Sequence, residues 1–381
     1  MKKYIILAAA ALAAFAACTK TEIAPEAQRE ISFAVANNVR ARADVFSGAI
    51  YNNGPFGTYA WFNASDEFMV NEQVDQISGV WKTKDHTFYW PKTGSIDFIS
   101  YSPFAGTSDT PGTVPVVTKD SIKYNNLTVA STDVMYADKV TCSSNVDNVR
   151  DSLGTGTDSG FSGVPTIFRH ALAKLSFKVM ANFTEWPDPQ SPGDTTKWEI
   201  TLNSFKIGGF LNTGSCALGW DATAKAWTKP QVNIGTATDP VYVNVWNVTD
   251  STQVTAAQEL ASAPVVLDTV AQDLGAASGF VLPQILTAAS QTVTINAHIK
   301  TTLSNKKVIN EDFVKTIDIR DISNLKAWEM NQNIVYTIKF KPTAKADGPN
   351  GLDDSPEDVT ITFDPAVADW TNVNTSATIQ L

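Results

Sequence analysis

The sequence predicts an all-β protein of antiparallel sheets, and three observations carry that prediction. Apolar and polar residues alternate in segment after segment, turn-forming residues fall between those segments, and helical crossovers are missing. Alternation at period two, rich in β-branched and aromatic residues, marks half-buried strands. Without helices to carry the chain back across a sheet face, neighbouring strands run antiparallel and the sheets stack as sandwiches.

Taken in order, the alternating segments are residues 31–35 (ISFAV), 96–101 (IDFISY), 175–179 (LSFKV), 241–246 (VYVNVW), 292–299 (TVTINAHI) and 334–340 (IVYTIKF). Residues 52–55 (NNGP) and 347–351 (DGPNG) punctuate them as turns. Beyond the first residues, only short stretches such as 256–261 read as helical. The segment FYWPKTGSIDFISYSPF, residues 88–104, is dense in aromatics and holds no catalytic-looking group. Its Pro91 lacks a ladder donor and suits a strand entry. Ile96 and Phe98 point to a core, while Trp90 and Tyr101 each offer roughly 150–250 Å² for burial. The Gly/Ser/Thr/Asp-rich run 151–163 reads as an exposed linker. It would divide the chain into an N-terminal sandwich domain, 43–162, and a C-terminal one, 163–381.

The 381 residues, 43% of them hydrophobic, are enough for two ordinary cores. With a formal charge of −10 and no basic patch, nucleic acid is not an expected partner. Residues 1–18 have a basic start (Lys2, Lys3), an apolar run and small residues before Cys18, the pattern of a secretory signal peptide. Its end, Phe15-Ala16-Ala17-Cys18, resembles a bacterial lipobox with Phe15 where Leu is usual, so Cys18 is the expected lipidation site. An ordinary signal peptide with Cys18 merely nearby is the other reading. Cys142 and Cys216 could form one disulfide in an exported protein. Lying in different expected domains, they read as two separate small buried residues.

Several segments together resemble the fimbrillin-like proteins of Bacteroidota, in the family's order. They are Trp90-Pro91 with IDFISYSP (96–103), FGTYA (56–60), DVMYA (133–137), FRHALAKL (168–175), Trp328, NIVYTI (333–338), ITF (361–363) and VADW (367–370). The resemblance implies two tandem transthyretin-like antiparallel β-sandwich domains and a role as a subunit of a type V fimbria. It also implies transit to the outer membrane by the lipoprotein export machinery, then cleavage by an arginine-specific protease that removes the first strand. A terminal strand of another pilin subunit, in a homo- or heteropolymer, would then fill the groove. On this chain residues 19–42 would be the propeptide, with cleavage at Arg40 or Arg42; Arg29 is a further basic site but would leave the first strand behind. The segment 374–381 would be the donor strand, with Ala377, Ile379 and Leu381 pointing one way as plugs. Pairing of that segment within its own domain is the alternative. A shaft subunit is the first expectation, a tip or anchor subunit the second.

Enzymatic signatures are missing: there is no Gly-x-Ser-x-Gly, Walker loop, His-Glu-x-x-His or paired-cysteine zinc pattern. His86, His170 and His298 each sit inside a β pattern, and His298 has no carboxylate partner nearby in sequence. The acidic run 347–358 lacks the ligand spacing of an EF-hand. The expectation is therefore no catalysis, cofactor or metal. A competing function is a monomeric surface lipoprotein binding glycan or a host or bacterial surface ligand, with Trp61, Trp81, Trp220 and Trp227 as an aromatic platform.

Overall fold

The alternation becomes ladder pairing in the computed structural model, which describes residues 30–37, 54–91, 93–106, 114–129, 132–143, 163–181, 184–187, 193–247, 258–261, 264–274, 279–287, 290–322, 325–342 and 359–367. Before residue 163 lie β1 (Phe33–Asn37), β2 (Phe56–Phe62), β3 (Asp66–Ile77), β4 (Val80–Thr83), β5 (Ser95–Ser102), β6 (Val116–Thr118), β7 (Ser121–Thr128), β8 (Met135–Ala137) and β9 (Val140–Ser143). Next come β10 (Val164–His170), β11 (Ala173–Ala181), β12 (Glu185–Pro187), β13 (Thr195–Gly208), β14 (Thr213–Asp221), β15 (Ala226–Thr228), β16 (Val232–Asn233) and β17 (Tyr242–Val243). The short strands β18 (Gln258–Ala261), β19 (Val265–Val266), β20 (Gln272–Asp273), β21 (Gly279–Val281) and β22 (Gln284–Ile285) follow. The chain continues with β23 (Thr292–Thr302), β24 (Val308–Asp318), the helical turn α1 (Ile319–Ile322), β25 (Ala327–Trp328), β26 (Asn333–Pro342) and β27 (Val359–Val367).

Sheet I has the order β2-β3-β4-β1-β10-β8-β5-β9, and β2 also pairs with β5. Hydrogen bonding thus runs from β5 through β2, β3, β4, β1, β10 and β8 back to β5, a closed ring. Closure removes sheet edges. Inside the ring lies a core that includes Ile31, Phe33, Phe56, Phe98, Trp90 and Phe168. Sheet II, ordered β15-β14-β7-β6, covers the outer face of β5 through a second core containing Ile99, Tyr124, Tyr136, Trp227 and Trp246. Every residue of β5 after Ser95 is therefore buried, on both faces, where alternation alone predicts a half-buried strand.

Sheets III and IV form a separate sandwich. Sheet III places β11 between β26 and the short β20 and β21, with β27 beyond β26. Sheet IV runs from β12, β18 and β19 across β13 and β23 to β24. Phe177 of β11 meets Phe205 of β13 at 5.1 Å and stacks on Tyr336 of β26 at 5.3 Å, joining the two sheets through aromatic contact. Strand β23, with every second residue buried, is as the sequence predicts.

Pairing is antiparallel except between β1 and β10 and between β11 and β26, which run parallel. Gln258–Ala261, part of the stretch that reads as helical, is a strand on β13, because the pairing outweighs its weak local preference. Of the segment 241–246 only Tyr242–Val243 is strand, although Val245 and Trp246 are buried. The linker segment 151–162 lies outside the described residues. Strands from both sides of it share sheets: β10 belongs to sheet I, and β14 pairs with β7 in sheet II.

Candidate functional site

The first strand is the element whose placement bears on function. Ile31, Phe33 and Val35 share one face by the period of a strand, and that face looks into the ring. Ile31 and Phe33 are only 1% and 4% exposed, and Val35 packs against the same core. Phe33 meets Phe98 edge-on at 5.9 Å. Burial of such side chains contributes about 1.5–3 kcal/mol each.

The backbone holds β1 unequally. Along β10 all five of its residues pair, from Phe33 opposite Val164 to Asn37 opposite Phe168. Along β4 a single pair forms, Phe33 with Trp81. The remaining contacts on that side come from the aromatic segment, where Glu30 bridges Tyr89 and Ile31 N–H donates to Phe88 O at 2.9 Å. On the other bank Val164 N–H donates to Ser32 O at 2.8 Å. Gly163 makes that approach possible, since a Cβ there would lie 2.6 Å from Ser32 O. The ion pair of Lys82 with Glu30, 3.4 Å and partly exposed, adds little. Without β1, strands β4 and β10 would stand two interstrand spacings apart, about 9–10 Å. Both would present unpaired edges over an apolar trough.

Cys18, Arg40, Arg42, Ala377, Ile379 and Leu381 lie outside the described residues, as does the acidic run 347–358. The arginines follow the end of β1 in sequence. The last described element, β27, pairs antiparallel with β26.

Elsewhere several titratable groups are tied into the scaffold. His170 Nδ1 hydrogen-bonds Asp133 Oδ2, both nearly buried. Burial raises the Asp133 carboxyl above its ordinary range, and the His170 contact opposes that shift. Arg169 donates from Nε and a terminal nitrogen to both oxygens of Asp138, each at 2.7 Å. His298 Nδ1 lies 2.8 Å from Asp312 Oδ1, directly across the β23–β24 ladder. Sequence reasoning missed this carboxylate because strand register, not sequence proximity, supplies it. Cys142 and Cys216 are separate, buried and free, and burial pushes each thiol up to about 12. Among the described residues no three His, Cys, Asp or Glu side chains cluster as a metal site would need. Trp61 and Trp227 are buried, and Trp81 and Trp220 pack against the cores, so the four form no exposed platform.

A sequence model of fimbrillin-like proteins matches residues 41–370. The chain belongs to the fimbrillin-like family. The segments that carry the resemblance fall on core elements: 56–60 in β2, 133–137 around β8, 168–175 across β10 and β11, and Trp328, which is fully buried and donates from Nε1 to Tyr336 Oη at 2.9 Å. No curated protein matches the chain. Among solved structures it is similar to a fimbrial protein from Bacteroides vulgatus, with 13% identity over 90% of this chain and 100% of that one and a TM-score of 0.49. It is also similar to a candidate cell adhesion protein from Bacteroides uniformis, with 16% identity over 84% and 93% of the two chains and a TM-score of 0.38.

Proposed function

We propose that this fimbrillin-like protein is a shaft subunit of a surface fimbria that assembles by exchanging its first strand. The chain is exported as a lipoprotein acylated at Cys18 and held at the outer membrane. An arginine-specific protease cuts after Arg40 or Arg42, and the strand leaves the ring with the lipid. A terminal segment of another subunit, bearing Ala377, Ile379 and Leu381, then fills the trough between β4 and β10.

The observation that carries this proposal is the position of β1. It is a stave of a closed ring, fully paired with β10 and joined to β4 at one residue pair. An incoming strand can recover the edge hydrogen bonds, while alternate apolar side chains take the pockets of Ile31 and Phe33. Family membership supports assembly with other subunits at the cell surface.

The test is the N-terminus and intact mass of protein sheared from the producing cell, compared with the membrane fraction. A start at Ala41 or Ala43 in detergent-stable multimers is the expected result. Acylated Cys18 as the sole species would sink the shaft role and leave an anchor subunit or a monomeric binding lipoprotein.

A further inference from the structure

Strand β24 is the outermost strand of sheet IV, paired with β23 over all eleven residues from Val308 to Asp318. Among the described residues no strand pairs with its other side. Two bonds flanking the ladder fix which backbone groups face that side. Ile319 N–H donates to Gln291 O and Leu303 N–H to Lys307 O, both at 2.9 Å and both in line with the β23–β24 register. Because hydrogen-bonded pairs alternate in an antiparallel ladder, the odd-numbered residues of β24 exchange bonds with β23. The N–H and C=O groups of Asn310, Asp312, Val314 and Thr316 then face outward.

Long edges invite strand addition, and inward-pointing charges are one common defence. The core-side face of β24 carries two such charges, Glu311 and Lys315, on either side of the part-buried Phe313. Their effect depends on register. Antiparallel pairing of two copies centred on Glu311, Asp312 or Lys315 sets like charges against each other. Centred on Val314, it sets Glu311 opposite Ile317 and Lys315 opposite Phe313. Centred on Phe313, it sets each Glu311 opposite Lys315 of the second copy and Ile309 opposite Ile317. Phe313 then meets its own counterpart. On the other face Asp312 falls opposite Val314 and Asn310 opposite Thr316, and Asp312 already has His298. In this register the odd residues form the non-hydrogen-bonded pairs, in which side chains come closest.

We propose that β24 is the interface of a two-fold homodimer, in which two copies join antiparallel about Phe313 and sheet IV continues from one molecule into the next. Like charges oppose the registers centred on Glu311, Asp312 and Lys315, whereas in this one opposite charges meet. The contact lies in sheet IV and the first strand in sheet I, so it does not depend on strand exchange.

Sedimentation equilibrium of the full chain tests it. The unaltered protein should form dimers, and Glu311→Lys or Lys315→Glu alone should weaken them by at least about tenfold, since each sets two like-charge pairs across the two-fold. The double variant Glu311→Lys with Lys315→Glu should restore association to within about threefold, because it exchanges the members of each pair. A Phe313→Cys variant should cross-link to itself on mild oxidation, whereas Ile309→Cys, opposite Ile317, should not. A monomeric unaltered protein, single variants that dimerise normally, a swap that fails to restore the dimer, or no cross-link from position 313 would each overturn the proposal.

Discussion

Phe33 meets Phe56 edge-on inside the ring of sheet I, with ring centroids 5.6 Å apart and planes at 85°. Phe56 in turn touches Trp81 of β4 at 5.6 Å and Phe168 of β10 at 5.3 Å. One aromatic of the first strand therefore reaches, through a single neighbour, both strands that flank it.

Truncating that side chain should be costly. Phe33→Ala removes a ring that is 4% exposed and leaves a cavity among aromatic walls that have little freedom to collapse. A loss of about 3–5 kcal/mol is expected in urea unfolding of the full chain. Val270→Ala, at a side chain 70% exposed, should stay within about 0.5 kcal/mol of the unaltered protein.

Gly163→Ala should loosen the same strand from outside. The added methyl would sit 2.6 Å from Ser32 O, a backbone atom, so β1 or β10 must shift. The expected cost is about 1–3 kcal/mol. Hydrogen exchange reads it locally, because the Val164 amide that donates to Ser32 O should exchange faster while the β23–β24 ladder keeps its protection.

His86 and His298 should titrate above the ordinary histidine value of 6.5. The hydrogen bond that the protonated ring donates to Glu72 is the main cause for His86, and the one donated to Asp312 for His298. Since the folded state favours the protonated rings, their contribution to stability is complete below pH 6.5 and disappears as pH rises through the folded values. Proton NMR of the three histidines is the measurement. Glu72→Gln should bring His86 back down, and Asp312→Asn should do the same for His298, each without moving the other.

Period-two alternation made the strands legible, including the short one that begins at Phe33, because a strand with one buried face must alternate. It misjudged β5, whose outer face is covered by strands distant in sequence, so burial there has no period. The partner of His298 was hidden for a related reason: Asp312 is its neighbour only once β23 and β24 are in register. In the aromatic segment 88–104, Trp90, Ile96, Phe98 and Tyr101 are buried as expected, while Tyr89 is exposed. Its backbone contacts to Glu30 and Ile31 were not legible, because main-chain pairing leaves no mark in residue type.

Sheets I and II also bear on the order in which this chain acquires structure. The ring closes only when β10 reaches β1, and the outer face of β5 is covered only when β14 and β15 join β7 and β6. Such distant pairings are slow, since loop-closure entropy is spent before the contacts that offset it form. A chain emerging from its N-terminus would hold Ile99, Tyr124 and Tyr136 uncovered until residues beyond 213 arrive, an interval in which exposed apolar surface favours aggregation. The cores of sheets I and II are complete only once β10 and β14, which are synthesised late, are in place.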